Sequence, residues 1–333
     1  MRVTLLLIAL FVPAFALAQT PADEPTETSE TAEPAGRTEP ASRNALYEQA
    51  LERKFPTEEQ RQLDFNGESQ LGLYLPAARP EALGGVLLIA GPGEHADWPQ
   101  VIAPARRRLS DAGWNTLSIS LPAMPISIDS TAESAAGVTE PAAADDDAAD
   151  AQEQGLQSAD NQPDQPPAST PKEAQEDYTT RNMQLIQAAW QVLAAEGNEH
   201  ISIIARSEAG YWALRAASPP ASGQPPQALL LFKPRDPGLD DQPSLNLLLE
   251  KWNKPLLELL SAGSPQGATQ AREHQRIARR VGNSLYQQWD IDYLRDSVLA
   301  DDMLQKRLQG WLEQRLLNKA AEVGELPKPA MTP

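Results

Sequence analysis

The stretch Glu199–Ala217 constrains the fold of this chain more than any other. Its sequence, EHISIIARSEAGYWALRAA, predicts a short buried strand, a tight turn at Ser207 and a helix that runs back over the sheet. A serine on such a turn has an exposed hydroxyl, and small flanking residues let the strand and the helix pack closely. Ala205 and Ala209 take the flanking positions, where two glycines are usual. We therefore predict a nucleophile elbow whose sequence is modified.

Buried strands and helices alternate along the chain from Gly84 onward. Continuous apolar runs, typical of strands covered on both faces, are separated by segments with helical spacing of apolar residues. Six such strands are predicted, at Gly85–Ala90, Trp114–Leu121, Ile201–Ala205, Ala228–Phe232, Leu256–Leu260 and Ser284–Ile291. Two extended runs around Asn66-Gly67 precede them and predict a hairpin, because both residues tolerate positive φ. The predicted fold class is α/β, a doubly wound, mainly parallel sheet with an N-terminal antiparallel hairpin and a long disordered acidic insertion.

Two acidic segments account for most of the formal net charge of -18. Residues 129–177 hold thirteen acidic residues against one lysine, and residues 19–42 hold six against one arginine. Such segments do not repay the entropy of ordering, so we predict a disordered leader over residues 19–42 and a disordered insertion over residues 128–177. The rest of the chain is close to neutral, which argues against binding nucleic acid through a basic face.

The first eighteen residues have the features of a secretory signal peptide. Arg2 precedes the short apolar run Val3–Val12, and Ala16–Ala18 has the small-x-small form of a cleavage site. The apolar run is too short to span a bilayer. We therefore expect export to the periplasm, no membrane span, a folded domain over residues 43–317 and a flexible tail over residues 318–333. The absence of cysteine excludes disulfides and thiolate metal sites.

The chain resembles the α/β-hydrolase superfamily from Leu63 to Leu317, because its serine turn follows the third strand of the parallel series. The stretches GPGEHADWP at Gly91–Pro99 and DAGWNTLSISLP at Asp111–Pro122 are similar to an uncharacterised bacterial family of exported α/β-hydrolase-like proteins. This resemblance implies the fold and an envelope location. It implies no substrate.

The catalytic triad that the superfamily resemblance implies is only partly present. Its order is serine, acid, histidine, and the histidine belongs in the loop after the last strand. That loop holds residues 289–293 here, none of which is histidine. His95, in the loop after the first parallel strand, is the remaining candidate base for Ser207. Asp236, in the loop after the fourth parallel strand, is the candidate third member.

Each of these residues also has a structural interpretation. Ser207 is placed to cap the following helix, and the Asp-Pro-Gly sequence that begins at Asp236 is typical of a turn. His95 has Glu94 and Asp97 nearby as orienting acids, but the same residues are suited to ordering their own loop. The sequence leaves both interpretations open.

The elbow also predicts a place for an anion. Backbone N–H groups near Gly91, Gly93 and Glu208 are the expected oxyanion donors, because glycines leave loop amides accessible and a helix N-terminus favours negative charge. Arg206 adjoins that terminus and favours a carboxylate, phosphate or sulfate ligand. The carboxyl group of Glu208 partly opposes such a ligand.

Two further ionisable residues stand out. Glu258 interrupts an apolar strand, so it is either paired with a buried arginine or has a pKa raised by desolvation, and an edge-facing or salt-bridged glutamate is the commoner case. His274 lies mid-helix among polar residues, which predicts a solvated surface position. Three scattered histidines show no metal-ligand spacing, and we expect neither a metal nor another cofactor.

These observations predict a binding or accessory protein of the cell envelope with an α/β-hydrolase fold and an incomplete catalytic triad. Its small-molecule or envelope ligand is not identified. A serine esterase or related acyl hydrolase that uses Ser207 stays open as an alternative. An interaction protein that binds a protein partner through its acidic insertion also stays open.

Overall fold

The fold is built on one eight-stranded sheet, seen in a computed structural model that describes residues 43–122, 171–218, 224–292 and 298–323. The strands are β1 Gln60–Phe65, β2 Glu68–Leu75, β3 Gly85–Ala90, β4 Asn115–Ser120, β5 Ile201–Arg206, β6 Leu229–Phe232, β7 Leu256–Leu260 and β8 Tyr286–Asp290. Their order in the sheet is β1-β2-β4-β3-β5-β6-β7-β8. The pairs β1–β2 and β2–β4 are antiparallel, and every other neighbouring pair is parallel. The predicted mainly parallel sheet with its N-terminal hairpin is confirmed.

The hairpin turn forms as its two central residues dictate. Asn66 and Gly67 have φ values of 49° and 77°, the positive pair that a tight two-residue hairpin needs. The free side of β2 pairs with β4, so the hairpin extends the parallel sheet at one end.

In the described ranges, seven α-helices accompany the sheet. They are α1 Arg43–Lys54, α2 Ile102–Asp111, α3 Pro171–Ala195, α4 Glu208–Ala217, α5 Leu245–Lys251, α6 Pro265–Arg280 and α7 Val298–Val323. Residues 171–177 of the predicted insertion and residues 318–323 of the predicted tail are helical, as parts of α3 and α7. Proline suits the first turn of a helix because its φ is already helical and its missing N–H would have no partner there, which explains the start of α3 at Pro171.

Alternate residues of the central strands enter two separate apolar cores. In β3, Leu87 and Ile89 belong to the core formed with α3 and α4, whereas Val86 and Leu88 belong to the core formed with α2 and α7. All four side chains are fully buried. Successive side chains point to opposite faces of a strand, so a strand covered on both faces reads as a continuous apolar run.

The carboxyl ends of the parallel strands bring the candidate site together. Strands β3 and β5 are neighbours in the sheet and run in the same direction. The loop after β3, which begins at Gly91, therefore adjoins Ser207 after β5. Ligands of open α/β sheets bind at this edge.

Several sequence predictions fall outside the described residues. These are the signal peptide, the leader, residues 128–170 of the insertion and residues 324–333 of the tail, so they stay predictions. Among the helices that are described, none combines the length and the apolar composition needed to cross a bilayer.

Candidate functional site

Ser207 occupies a strained backbone position between β5 and α4. Its φ of 53° and ψ of -131° lie in a region that costs a residue with a side chain about 1–3 kcal/mol. Its N–H donates to the carbonyl of Phe232 at 2.8 Å, and its carbonyl accepts from the N–H groups of Gly210 and Arg235 at 3.0 and 3.2 Å. The hydroxyl makes no capping bond to the helix. The predicted sharp turn is present, and helix capping does not account for the serine.

Small residues allow the strand and the helix to meet at this turn. Ala205 and Ala209 are fully buried. A Cβ added to Gly210 would lie only 3.0 Å from the Cβ of Pro234. The missing side chain of Gly210, one position beyond the glycine of the usual motif, therefore lets α4 lie close to the loop after β6.

The loop after β3 forms a type II turn against the elbow. Pro92 and Gly93 are its central residues, and Gly93 has the positive φ of 76° that this turn requires. The N–H of Glu94 closes the turn by donating to the carbonyl of Gly91 at 3.0 Å. A Cβ added to Gly91 would lie 3.3 Å from the Cβ of Ser207, so the loop and the serine are in direct contact range.

The carboxylate of Glu94 lies between this loop and Arg206. It accepts the Gly91 N–H at 3.0 Å. It also accepts two bonds from the Arg206 guanidinium, from Nε at 2.9 Å and from Nη2 at 2.7 Å. Two of the predicted anion-binding groups therefore already hold an anion, and the chain itself supplies it. Pro92, the next residue of the loop, has no N–H to offer.

His95 is held by its own loop. Its Nδ1 accepts the N–H of Asp97 at 3.2 Å, and its ring packs edge-on against Tyr47 and Trp98, with centroids 5.2 and 5.3 Å away. Burial lowers the pKa of His95, an effect that the charge of Asp97 partly opposes, so the ring is neutral at neutral pH. Because Nδ1 accepts, the neutral ring carries its proton on Nε2, which is then a donor. Within the described residues, no hydrogen bond joins His95 to Ser207.

The two acids considered as partners of His95 bind cations instead. Glu94 pairs with Arg206. The buried carboxylate of Asp97 accepts from Lys54 at 2.6 Å and lies 3.7 Å from Arg106. These contacts fasten the loop to α1 and α2, and neither carboxylate is bonded to the imidazole.

Asp236 fixes the loop between β6 and α5. Its Oδ1 accepts the N–H of Gly238 at 2.9 Å, and its Oδ2 accepts the N–H of Leu245, at the start of α5, at 2.7 Å. Bonding to a backbone N–H two residues ahead is the turn-forming behaviour of aspartate. In the part of the chain that the structure describes, no bond links Asp236 to His95. The assignment of Asp236 as a catalytic acid therefore stays a prediction.

Glu208 adds a second carboxyl group beside the serine. Burial raises the pKa of Glu208, and the positive charge of Arg235 lowers it in part. The buried phenol of Tyr178, on α3, has a pKa raised first by its own burial and then by the charge of Glu208. Glu208 thus places partly desolvated negative charge at the start of α4.

Replacing Ser207 tests the strain at the elbow. We expect Ser207→Ala to change the free energy of unfolding by less than about 0.5 kcal/mol, because the hydroxyl caps no helix N–H. Ser207→Gly should raise it by about 1 kcal/mol, since glycine adopts positive φ without steric cost. Urea unfolding followed by circular dichroism measures both values. A loss of about 1 kcal/mol or more in Ser207→Ala would indicate a capping serine.

A second ionisable cluster is buried between β7, α6 and β8. Nδ1 of His274 lies 2.9 and 3.0 Å from the two carboxyl oxygens of Glu258, and the hydroxyl of Tyr286 donates to the same carboxyl group. The predicted surface position of His274 is wrong, because it shares the inward helix face with Ile277, and the partner of Glu258 is a histidine rather than an arginine. Within the described ranges, no three histidine, aspartate or glutamate side chains come together as metal ligands.

Comparison with known proteins gives a family and a fold. A family model described as "Protein of unknown function (DUF3530)" matches residues 2–314. No curated protein matches the chain. An esterase from Pyrococcus furiosus is 10% identical with a TM-score of 0.50, over 77% of this chain and 90% of the esterase. An esterase domain from Rhodothermus marinus is 13% identical with a TM-score of 0.48, over 77% of this chain and 98% of that domain. At its identity, the Pyrococcus likeness shows the α/β-hydrolase fold alone.

Proposed function

We propose a ligand-binding or accessory function in the cell envelope for this chain, which belongs to the DUF3530 family of proteins of unknown function. The proposed ligand site is the elbow around Ser207, at the edge of an α/β-hydrolase sheet. Export to the periplasm is part of the proposal and rests on the signal-peptide pattern of the first eighteen residues.

The position of the Glu94 carboxylate carries this proposal. Acyl hydrolases stabilise an oxyanion beside the serine with preorganised donors, and losing one such donor costs about 10²–10³ in rate. Here the N–H of Gly91, a loop residue in contact range of Ser207, donates to Glu94. A carboxylate at this place also repels a developing negative charge. The arrangement supports holding a ligand over hydrolysing one.

The surroundings of the other candidate residues support the same proposal. His95 presents a donor at Nε2, and both carboxyl oxygens of Asp236 are bonded to backbone N–H groups. A serine without a base and an orienting acid is a weak nucleophile. We therefore include an incomplete triad in the proposal.

A serine esterase is the second candidate function, and the strained backbone of Ser207 favours it. Residues in sparsely populated backbone regions cluster at active sites, and the hydroxyl of Ser207 is not used for capping. For this activity Glu94 has to leave the Gly91 N–H, and His95 has to release its bond to Asp97.

Ester hydrolysis distinguishes the two functions. The mature chain, Ser207→Ala and His95→Ala are compared with p-nitrophenyl acetate as substrate. We expect the three rates to agree within experimental error, because hydrolysis does not pass through Ser207. A rate in the unaltered chain that exceeds both variants by about 10² or more would establish the esterase and overturn the binding function.

A further inference from the structure

We infer that the elbow binds its ligand through a carboxylate group, and that Glu94 fills the place of this group while no ligand is bound. The inference rests on the proposed binding function and names the chemical class of its ligand. It assigns Arg206 and the Gly91 N–H as the groups that recognise the ligand.

Three N–H donors already converge on one carboxylate at this place. Oε2 of Glu94 accepts from the Gly91 N–H at 3.0 Å and from Nε of Arg206 at 2.9 Å, and Oε1 accepts from Nη2 of Arg206 at 2.7 Å. Two parallel bonds from a planar guanidinium match the geometry of a carboxylate and are among the stronger hydrogen bonds in proteins. The donors are therefore arranged for a carboxylate, whichever molecule carries it.

The carboxylate of Glu94 lies close to Ser207, where a bound ligand would contact the serine. The point that a Cβ of Gly91 would occupy is 3.3 Å from the Cβ of Ser207 and 3.3 Å from Oε2 of Glu94. The Arg206 and Glu94 side chains retain 22% and 13% of their exposure. The pair thus borders the solvent, and a carboxylate can exchange there without opening either apolar core.

The Glu94 side chain can leave its three donors without opening the turn that carries it. Its four-residue turn is closed by one backbone hydrogen bond, from the Glu94 N–H to Gly91. Within the described residues, the Glu94 carboxylate has no partner besides Arg206 and the Gly91 N–H. Rotation of this side chain towards solvent would free all three donors while leaving the turn closed.

A tethered carboxylate competes with a free one. An internal group has an effective concentration in the millimolar range or above. The apparent affinity for an external ligand is the intrinsic affinity multiplied by the fraction of time that the internal group leaves the site free. Removing Glu94 should therefore strengthen carboxylate binding. If Glu94 instead serves to hold Arg206 in place, removing it should weaken binding.

Acetate is the probe that tests this competition. The apparent Kd comes from the rise in Tm with sodium acetate, relative to sodium chloride at equal ionic strength, because a ligand that binds only the native state stabilises it. We expect Glu94→Ala to bind acetate at least about tenfold more tightly than the unaltered chain. The matched control Glu199→Ala removes the same charge at the opposite end of β5 and should bind as the unaltered chain does. The double variant Glu94→Ala/Arg206→Ala should lose the gain.

Equal or weaker acetate binding in folded Glu94→Ala would overturn the inference, as would an equal gain in Glu199→Ala. Should Glu94→Ala not fold, Glu94→Gln gives the measurement, with a smaller gain expected because the amide keeps an acceptor but loses the charge. Ester hydrolysis through Ser207 would defeat the proposed function while leaving the acetate result intact. Failure with acetate, in a chain without hydrolysis, would defeat only the ligand class.

Discussion

Glu258→Ala is expected to lower the free energy of unfolding by about 3–5 kcal/mol, because two buried polar groups lose their hydrogen-bond partner at about 1–3 kcal/mol each. Glu258 has an exposed side-chain fraction of 0%, and its partner His274 one of 3%. The substitution leaves the imidazole and the hydroxyl of Tyr286 buried without their acceptor. Urea unfolding followed by circular dichroism measures the loss.

Two further variants separate the lost pairing from a general effect of truncation. Glu273→Ala removes an exposed glutamate next to His274. Glu273 pairs with Arg276, and its removal should lower the free energy of unfolding by less than about 1 kcal/mol. The double variant Glu258→Leu/His274→Leu should be more stable than Glu258→Ala, because it also removes the imidazole that Glu258→Ala leaves unpaired and refills the space. A loss below about 1 kcal/mol in Glu258→Ala would mean that this cluster does not stabilise the sheet edge.

Arg106→Ala should cost about 2–4 kcal/mol, since it removes a buried side chain from its contacts with Glu59, Phe55 and Asp97, while Lys54 remains paired with Asp97. The Arg106 side chain is 2% exposed, donates to Glu59 at 2.7 Å and lies over the ring of Phe55 at 4.8 Å. These contacts join α2 to the segment that precedes β1 and, through Asp97, to the loop that carries Glu94. Thermal and urea unfolding both report the loss.

The next residue provides the control for this substitution. Arg107 lies 3.8 Å from the same carboxyl oxygen of Asp97, but its side chain is 58% exposed. Arg107→Ala should cost less than about 1 kcal/mol, because exposed ion pairs contribute little. Similar losses in the two variants would show that burial does not determine how much each arginine stabilises the fold.

The features that the sequence predicts well are those that depend on local patterns. Apolar runs such as Gly85–Ala90 become strands because both faces of the sheet are covered, and Asn66-Gly67 becomes a turn because both residues adopt positive φ. The Asp-Pro-Gly sequence at Asp236 correctly indicates a turn. Composition indicates the end of the acidic insertion less well, since α3 begins at Pro171 within the segment predicted to be disordered.

The site itself depends on contacts between distant parts of the chain. Glu94 and Arg206 are 112 residues apart, so no spacing rule connects them, and the strain at Ser207 is a property of the folded backbone. For His274 a signal was present. His274 stands three residues before Ile277, so the two side chains lie on the same face of the helix. This spacing predicts a buried histidine, whereas its polar neighbours suggest an exposed one.

The intact mass of a chain of residues 19–333 after treatment with a fluorophosphonate probe tests the central claim most directly. Such probes form a stable adduct with a serine only when a base and an oxyanion site activate it. Because the Glu94 carboxylate accepts the Gly91 N–H and His95 presents a donor, the predicted result is an unchanged mass. A single adduct that is absent from both Ser207→Ala and His95→Ala would contradict the claim and establish a working serine hydrolase.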